Sequence, residues 1–145
     1  MSGASGDRRL FAFAIAYLWG ALALDASIAV LAWVQPDLWF RLFHETGPAT
    51  AMEVALLRRS AGQWVAFAIA QALTLALWRQ RPEWLAIAAG VRFSDLATDL
   101  SYIAAAPEMT RLGWICLLPP APLNLLGFLV LLRCYRAATQ STRVG

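Results

Sequence analysis

The sequence predicts an all-α integral membrane protein: a bundle of four transmembrane helices, with a short amphipathic helix in the interface between spans one and two. Three observations carry that prediction. The 145-residue chain is 60% apolar, has a mean hydropathy of +0.57 and is only 14% charged, whereas soluble domains carry about a quarter charged residues. Four apolar runs have the length of roughly twenty residues that a bilayer crossing needs. The arginines between those runs gather on one side. The whole chain, residues 1–145, reads as one integral membrane domain.

Span one is predicted over residues 10–34, "LFAFAIAYLWGALALDASIAVLAWV". Arg8 and Arg9 precede it in "DRRLF", which is similar to a twin-arginine export signal. The same pair serves equally as the anchor of an uncleaved first span, and that is the reading taken. After it, Leu38, Trp39, Leu42 and Phe43 recur at helical spacing with Arg41, His44 and Glu45 among them. This pattern predicts an interfacial helix over residues 37–45. Gly47–Pro48 ends it, and a helical pattern resumes near Thr50 and leads into span two, residues 60–78. The turn "WRQRPEW" joins span two to span three, residues 84–106. The loop "APEMTR" leads to span four, residues 112–132, which contains "LPPAPLN".

Arginine placement sets the orientation. All twelve basic residues are Arg. Seven of them (Arg8, Arg9, Arg79, Arg81, Arg133, Arg136 and Arg143) fall on one side. Arg41, Arg58, Arg59 and Arg111 fall on the other. The positive-inside rule then puts both termini in the cytoplasm, in a membrane such as a bacterial inner membrane. Trp33, Trp39, Trp64, Trp78, Trp84 and Trp114 cluster near span ends, as an aromatic belt does.

Charges inside a span cost a few kcal/mol each on insertion scales and face protein or water, not lipid. Span three carries Arg92, Asp95, Asp99 and Tyr102. At about 100° per residue these four share a stripe roughly 80° wide. Asp25 of span one and Asp99 both lie in the outer half, and Arg59 and Gln63 lie at the outer mouth of span two. The depths predict that these four meet, while Arg92 pairs with Asp95 at i,i+3. Counting Arg58, three guanidiniums face three carboxylates, so the interior can be neutral, as burial demands. If Asp25 stands alone, desolvation favours its protonated form. Ala14, Ala21, Ala29 and Ala32 share the Asp25 side of span one and allow close helix approach. In span four, Pro119, Pro120 and Pro122 remove amide donors, and Asn124 and the freed carbonyls are expected to line the interior.

Four uses fit such a stripe. It can be a structural ion-pair network in an accessory subunit that associates with another membrane protein or with itself. It can line a cavity that binds a lipid, a quinone or a pigment, pass protons or ions, or supply a carboxylate for acid–base chemistry. The structural use ranks first, because buried pairs commonly set helix register. Whether the protein is an enzyme stays open.

Several classes are excluded or disfavoured. The net charge of +3 comes without a basic run or groove-reading helix, so no nucleic-acid partner is expected, only membrane lipids and protein. His44 is the sole histidine, which rules out a haem held by two histidines of one chain. A single axial bond to haem or a pigment stays open, but an exposed interfacial histidine fits its amphipathic setting better. No zinc or di-iron spacing is present, so no metal is expected. "GxSxG", Walker and "GxGxxG" motifs are absent. Cys116 and Cys134 stand eighteen positions apart on one predicted helix, about 27 Å along its axis, too far to bridge. Both read as small packing residues.

The layout resembles small four-helix membrane proteins of the DoxX-like kind. The resemblance rests on the amphipathic "PDLWFRLF" after span one, the "RRSAGQW" opening of span two, and a charged third span. It covers the chain as architecture and implies an accessory subunit, with no catalytic residues to carry over. The triple proline of span four departs from it.

Overall fold

The computed structural model describes residues 3–45, 48–105 and 108–141. Among the described residues the chain is helical with no strand, in the order α1 (Gly3–Val34), α2 (Pro36–Phe43), α3 (Ala51–Leu77), α4 (Glu83–Ala105), α5 (Arg111–Leu117) and α6 (Pro120–Ser141). Arg143 lies outside the described residues.

Local chemistry explains the boundaries. α2 opens with Pro36 in its first turn and carries Asp37 there and Arg41 in its last turn, an order that suits the helix dipole. α3 begins at Ala51, where the helical pattern is expected to resume and ahead of the apolar run that starts at residue 60, because Thr50 and Glu53 form a capping box. The Thr50 amide donates to Glu53 Oε2 at 2.7 Å, and the Glu53 amide donates to Thr50 Oγ1 at 3.3 Å. Thr110 caps α5 by accepting from the Gly113 amide at 2.9 Å. α6 starts at Pro120, where a missing amide costs least. The break between α5 and α6 is slight. The Leu118 amide still donates to the Trp114 carbonyl at 3.1 Å, and the Leu123 amide to that of Pro119 at 3.2 Å. Residues Arg111–Gln140 therefore run as one apolar segment across the three prolines.

Among the described residues three helical stretches are long and apolar enough to cross a membrane: Arg8–Val34, Ala51–Leu77 and Arg111–Gln140. α4 is long but carries Glu83, Arg92, Asp95 and Asp99 and is not among them. The long helices contact one another in a closed order. α1 packs on α3 and α6, and α4 packs on the same two. Phe11 stacks on Trp78 with centroids 5.0 Å apart, which brings the start of α1 to the end of α3. Phe93 meets Phe128 at 5.3 Å across α4 and α6.

Two apolar clusters form the core. One joins Leu18, Leu85, Ala88, Leu131 and Cys134. The other joins Ala32, Leu57 and Ala61 under Trp39 and Trp64. Ala14, Ala21, Ala29 and Ala32 are all buried. Cys116 is exposed, unlike Cys134, so only one of the two cysteines is a packing residue. Outward, the long helices show large apolar side chains, among them Trp19, Ile69, Ile87, Phe93, Leu100, Ile115 and Leu129.

α2 is tied at its C-terminal end. The Thr110 hydroxyl donates to the Leu42 carbonyl at 2.6 Å, and the Thr110 amide to that of Phe43 at 3.2 Å. The Glu45 amide donates to the Glu108 carbonyl at 3.1 Å. Gly113 sits so close to the Phe43 carbonyl that a Cβ there would overlap it.

Candidate functional site: a polar knot around Arg92

In every long helix the apolar core is interrupted at one level by polar side chains, and these meet. Arg92 of α4 is at their centre and is 3% exposed. Its Nη2 donates to Asp25 Oδ2 of α1 at 2.7 Å. Its Nη1 donates to Asn124 Oδ1 of α6 at 3.2 Å and lies 3.4 Å from Asp95 Oδ2 on its own helix. Gln71 of α3 completes the set, donating through Nε2 to the same Asp25 oxygen at 2.5 Å. Thus α1, α3, α4 and α6 each contribute a side chain. The Arg92 guanidinium also lies 5.5 Å from the centre of the Phe67 ring, within cation–π range.

Asn124 is the second hub. Its Oδ1 accepts from Arg92, and the Tyr17 hydroxyl approaches it at 3.5 Å. Its Nδ2 donates to Asp95 Oδ2 at 3.0 Å and to Asp99 Oδ2 at 2.8 Å. Donors surround its oxygen and acceptors its nitrogen, so the neighbours fix the amide orientation. Gly127, one turn along α6, leaves room for Tyr17. A Cβ at Gly127 would overlap the Tyr17 ring.

Among the described residues the knot sets one guanidinium against three carboxylates, Asp25, Asp95 and Asp99. Asp25 and Asp95 are buried and Asp99 is half-buried. Among the described residues two buried side-chain atoms, Gln71 Oε1 and Arg92 Nε, have no hydrogen-bond partner.

Of the residues singled out by sequence, Asp25, Arg92, Asp95, Asp99 and Asn124 come together. Arg59, Gln63 and Tyr102 do not join them. Arg59 and Gln63 are exposed, and Arg58 is exposed as well, so the expected balance of three guanidiniums to three carboxylates is not met. The physical reason is the depth at which α3 meets α1. The first turns of α3 run beside α2, where Trp64 packs on Trp39 at 5.3 Å, and the helix reaches the level of Asp25 only at Gln71. Tyr102 shares the stripe's direction but stands ten residues beyond Arg92, about 15 Å along the axis. Its hydroxyl instead meets His44 Nε2 at 2.9 Å. His44 is 7% exposed, which corrects the expectation of an exposed histidine. Burial holds its imidazole below the ordinary value of 6.5, opposed by the nearby Glu53 carboxylate.

Gln71, Tyr17 and Gly127 were not legible as members of the site. The available signal was Gln71 itself, a lone amide in "VAFAIAQALTLAL". No group of three metal-ligating side chains occurs among the described residues. Two apolar grooves open on the outside of the molecule, one along α1 and α3 near Trp33 and Ile69, the other beside Phe11 and Trp78. No residue of the knot lines either.

The three candidate spans define the class: a small helical membrane protein. Comparison with family models, curated proteins and solved structures finds no match for this chain.

Proposed function

We propose that the chain is a four-span membrane bundle and that α4 is its additional span, held there by the knot. The charges of α4 that disqualify it by composition are turned inward onto Asp25 and Asn124. Its outward side chains, Ile87, Phe93 and Leu100, are apolar and exposed. In this reading α2 lies in the outer interface and both termini are cytoplasmic, where Arg8, Arg9, Arg79, Arg81, Arg133 and Arg136 collect. Single cysteines at Arg81 and Glu108, in a chain lacking Cys116 and Cys134, label from opposite sides of the membrane. Labelling of both from one side defeats the four-span reading.

The bundle acts as an accessory or structural subunit, associating with another membrane protein or with a second copy. The observation that carries this is closure. Arg92 is tied to three neighbouring side chains and Asp25 to two, all within the interior, as a register lock requires. The test is native mass spectrometry after mild extraction from the native membrane. A stoichiometric membrane-protein partner or a defined oligomer supports the reading. A monomer that carries a quinone or pigment and no partner overturns it.

A second reading is favoured by the charge count. One guanidinium serves three carboxylates, and the row Asp25, Asp95, Asp99 steps from buried to half-buried. Such a row suits proton or cation exchange. Flux into vesicles that Asp99→Asn abolishes, with the fold intact, supports this second reading. Absence of flux at any imposed gradient rejects it.

A further inference from the structure

The groove at the arginine-rich end of the α1–α3 seam has no part in the knot, yet it has the composition of a binding site. Its floor is the Phe11–Trp78 stack, with rings 17° from parallel. Its rim carries two arginines, Arg8 from α1 and Arg79 just past α3. The Arg79 guanidinium is spread over Trp78, 5.4 Å from the ring centre. Neither Arg8 nor Arg79 pairs with a carboxylate among the described side chains. Below them the lining is wholly apolar: Ala12, Ile15 and Ala16 descend α1 along one face. From Arg8 to Ala16 this trough is about 12 Å long at the helical rise, and its volume is about 680 Å³.

We propose that this groove seats one anionic phospholipid of the inner leaflet. The phosphate lies between Arg8 and Arg79, and one acyl chain lies in the alanine trough. Charge complementarity selects the occupant. Two guanidiniums at one end, with no carboxylate partner among the described side chains, call for an anion. An apolar slot leading from them toward the middle of the spans calls for a hydrocarbon tail on that same anion. Basic pockets between spans on the cytoplasmic side have this use. The seat rests on membrane embedding and on the proposed orientation that makes this end cytoplasmic, but not on either reading of the knot.

The test titrates the purified full-length protein in mild detergent with phosphatidylglycerol or phosphatidylcholine and counts retained lipid by native mass spectrometry. Phosphatidylglycerol is expected to be retained in preference, as a single adduct. Arg8→Gln with Arg79→Gln is expected to weaken it on the order of 20-fold. Arg133→Gln with Arg136→Gln, at the same end of the molecule, is expected to weaken it far less. Ala16→Trp fills the trough while keeping both arginines, and is expected to abolish retention. All four arginines and Ala16 are exposed, so the fold tolerates these changes. Equal retention of the two lipids overturns the proposal. So does an equal loss in both arginine pairs, which means diffuse surface charge. Unchanged retention in Ala16→Trp, or displacement by inorganic phosphate, means that the headgroup alone is held and also overturns it.

Discussion

Asp25 Oδ2 and Arg92 Nη2 meet at 2.7 Å across α1 and α4, with each side chain 3% exposed. Such a pair adds little net stability yet is costly to break, because removing one member strands the other in an apolar interior. Arg92→Met is therefore expected to cost about 3–5 kcal/mol. Asp25→Leu combined with Arg92→Met is expected to restore part of that loss, since Asp95 still lacks its guanidinium. A double-mutant cycle, followed by reversible unfolding in mixed micelles, reads the coupling. Strictly additive losses contradict the pairing.

Gln71 and Gln63 lie on the same helix, yet only the first enters the knot. Gln71→Ala removes a hydrogen bond to a carboxylate and is expected to cost roughly 1.5–3 kcal/mol. Gln63→Ala and Arg59→Gln change exposed positions and are expected to stay within about 0.5 kcal/mol of wild type. Equal effects at Gln63 and Gln71 mean that the register of α3 is wrong.

Gly127 sits against the Tyr17 ring, and a methyl group there collides with it. Gly127→Ala is expected to destabilise by about 1–3 kcal/mol through overpacking. Tyr17→Leu is expected to relieve that penalty, since the obstacle is then gone. The sign of the interaction energy is the readout. A Gly127→Ala variant as stable as wild type contradicts the contact.

His44 makes the fold sensitive to acid at the α2 end. Above its ordinary value of 6.5 the imidazole is neutral folded or unfolded, and this group adds no pH dependence. Below that value the unfolded chain takes up a proton that the buried ring resists, so stability falls as pH falls. Melting of wild type and His44→Gln, followed from about pH 8 to about pH 5, is expected to diverge only in the acidic half. Parallel curves contradict the burial of His44.

Angular reasoning served the sequence well within one helix and poorly between helices. The stripe holding Arg92, Asp95 and Asp99 follows from helical period alone, and those three do face the interior. Asp25 and Asn124 were legible because a polar group in an apolar run must find company. Depth was another matter. Placing Arg59 and Gln63 beside Asp25 required knowing which turn of α3 meets α1. The helical pattern that resumes near Thr50 agrees with the observed start at Ala51, but it does not say that the meeting falls at Gln71. The burial of His44 was illegible for a different reason. It depends on Tyr102 and on the loop that carries Met109, both of them distant in sequence. Amphipathic spacing describes α2 by itself and says nothing of what covers its end.

The long sequence separation within the knot governs how the chain is made. Asp25 leaves the ribosome 67 residues before Arg92, and Asn124 follows 32 residues after Arg92. The first helix is therefore synthesised with its acid still lacking that guanidinium. The knot cannot close until α6 is made, because that helix brings the amide that joins Arg92, Asp95 and Asp99.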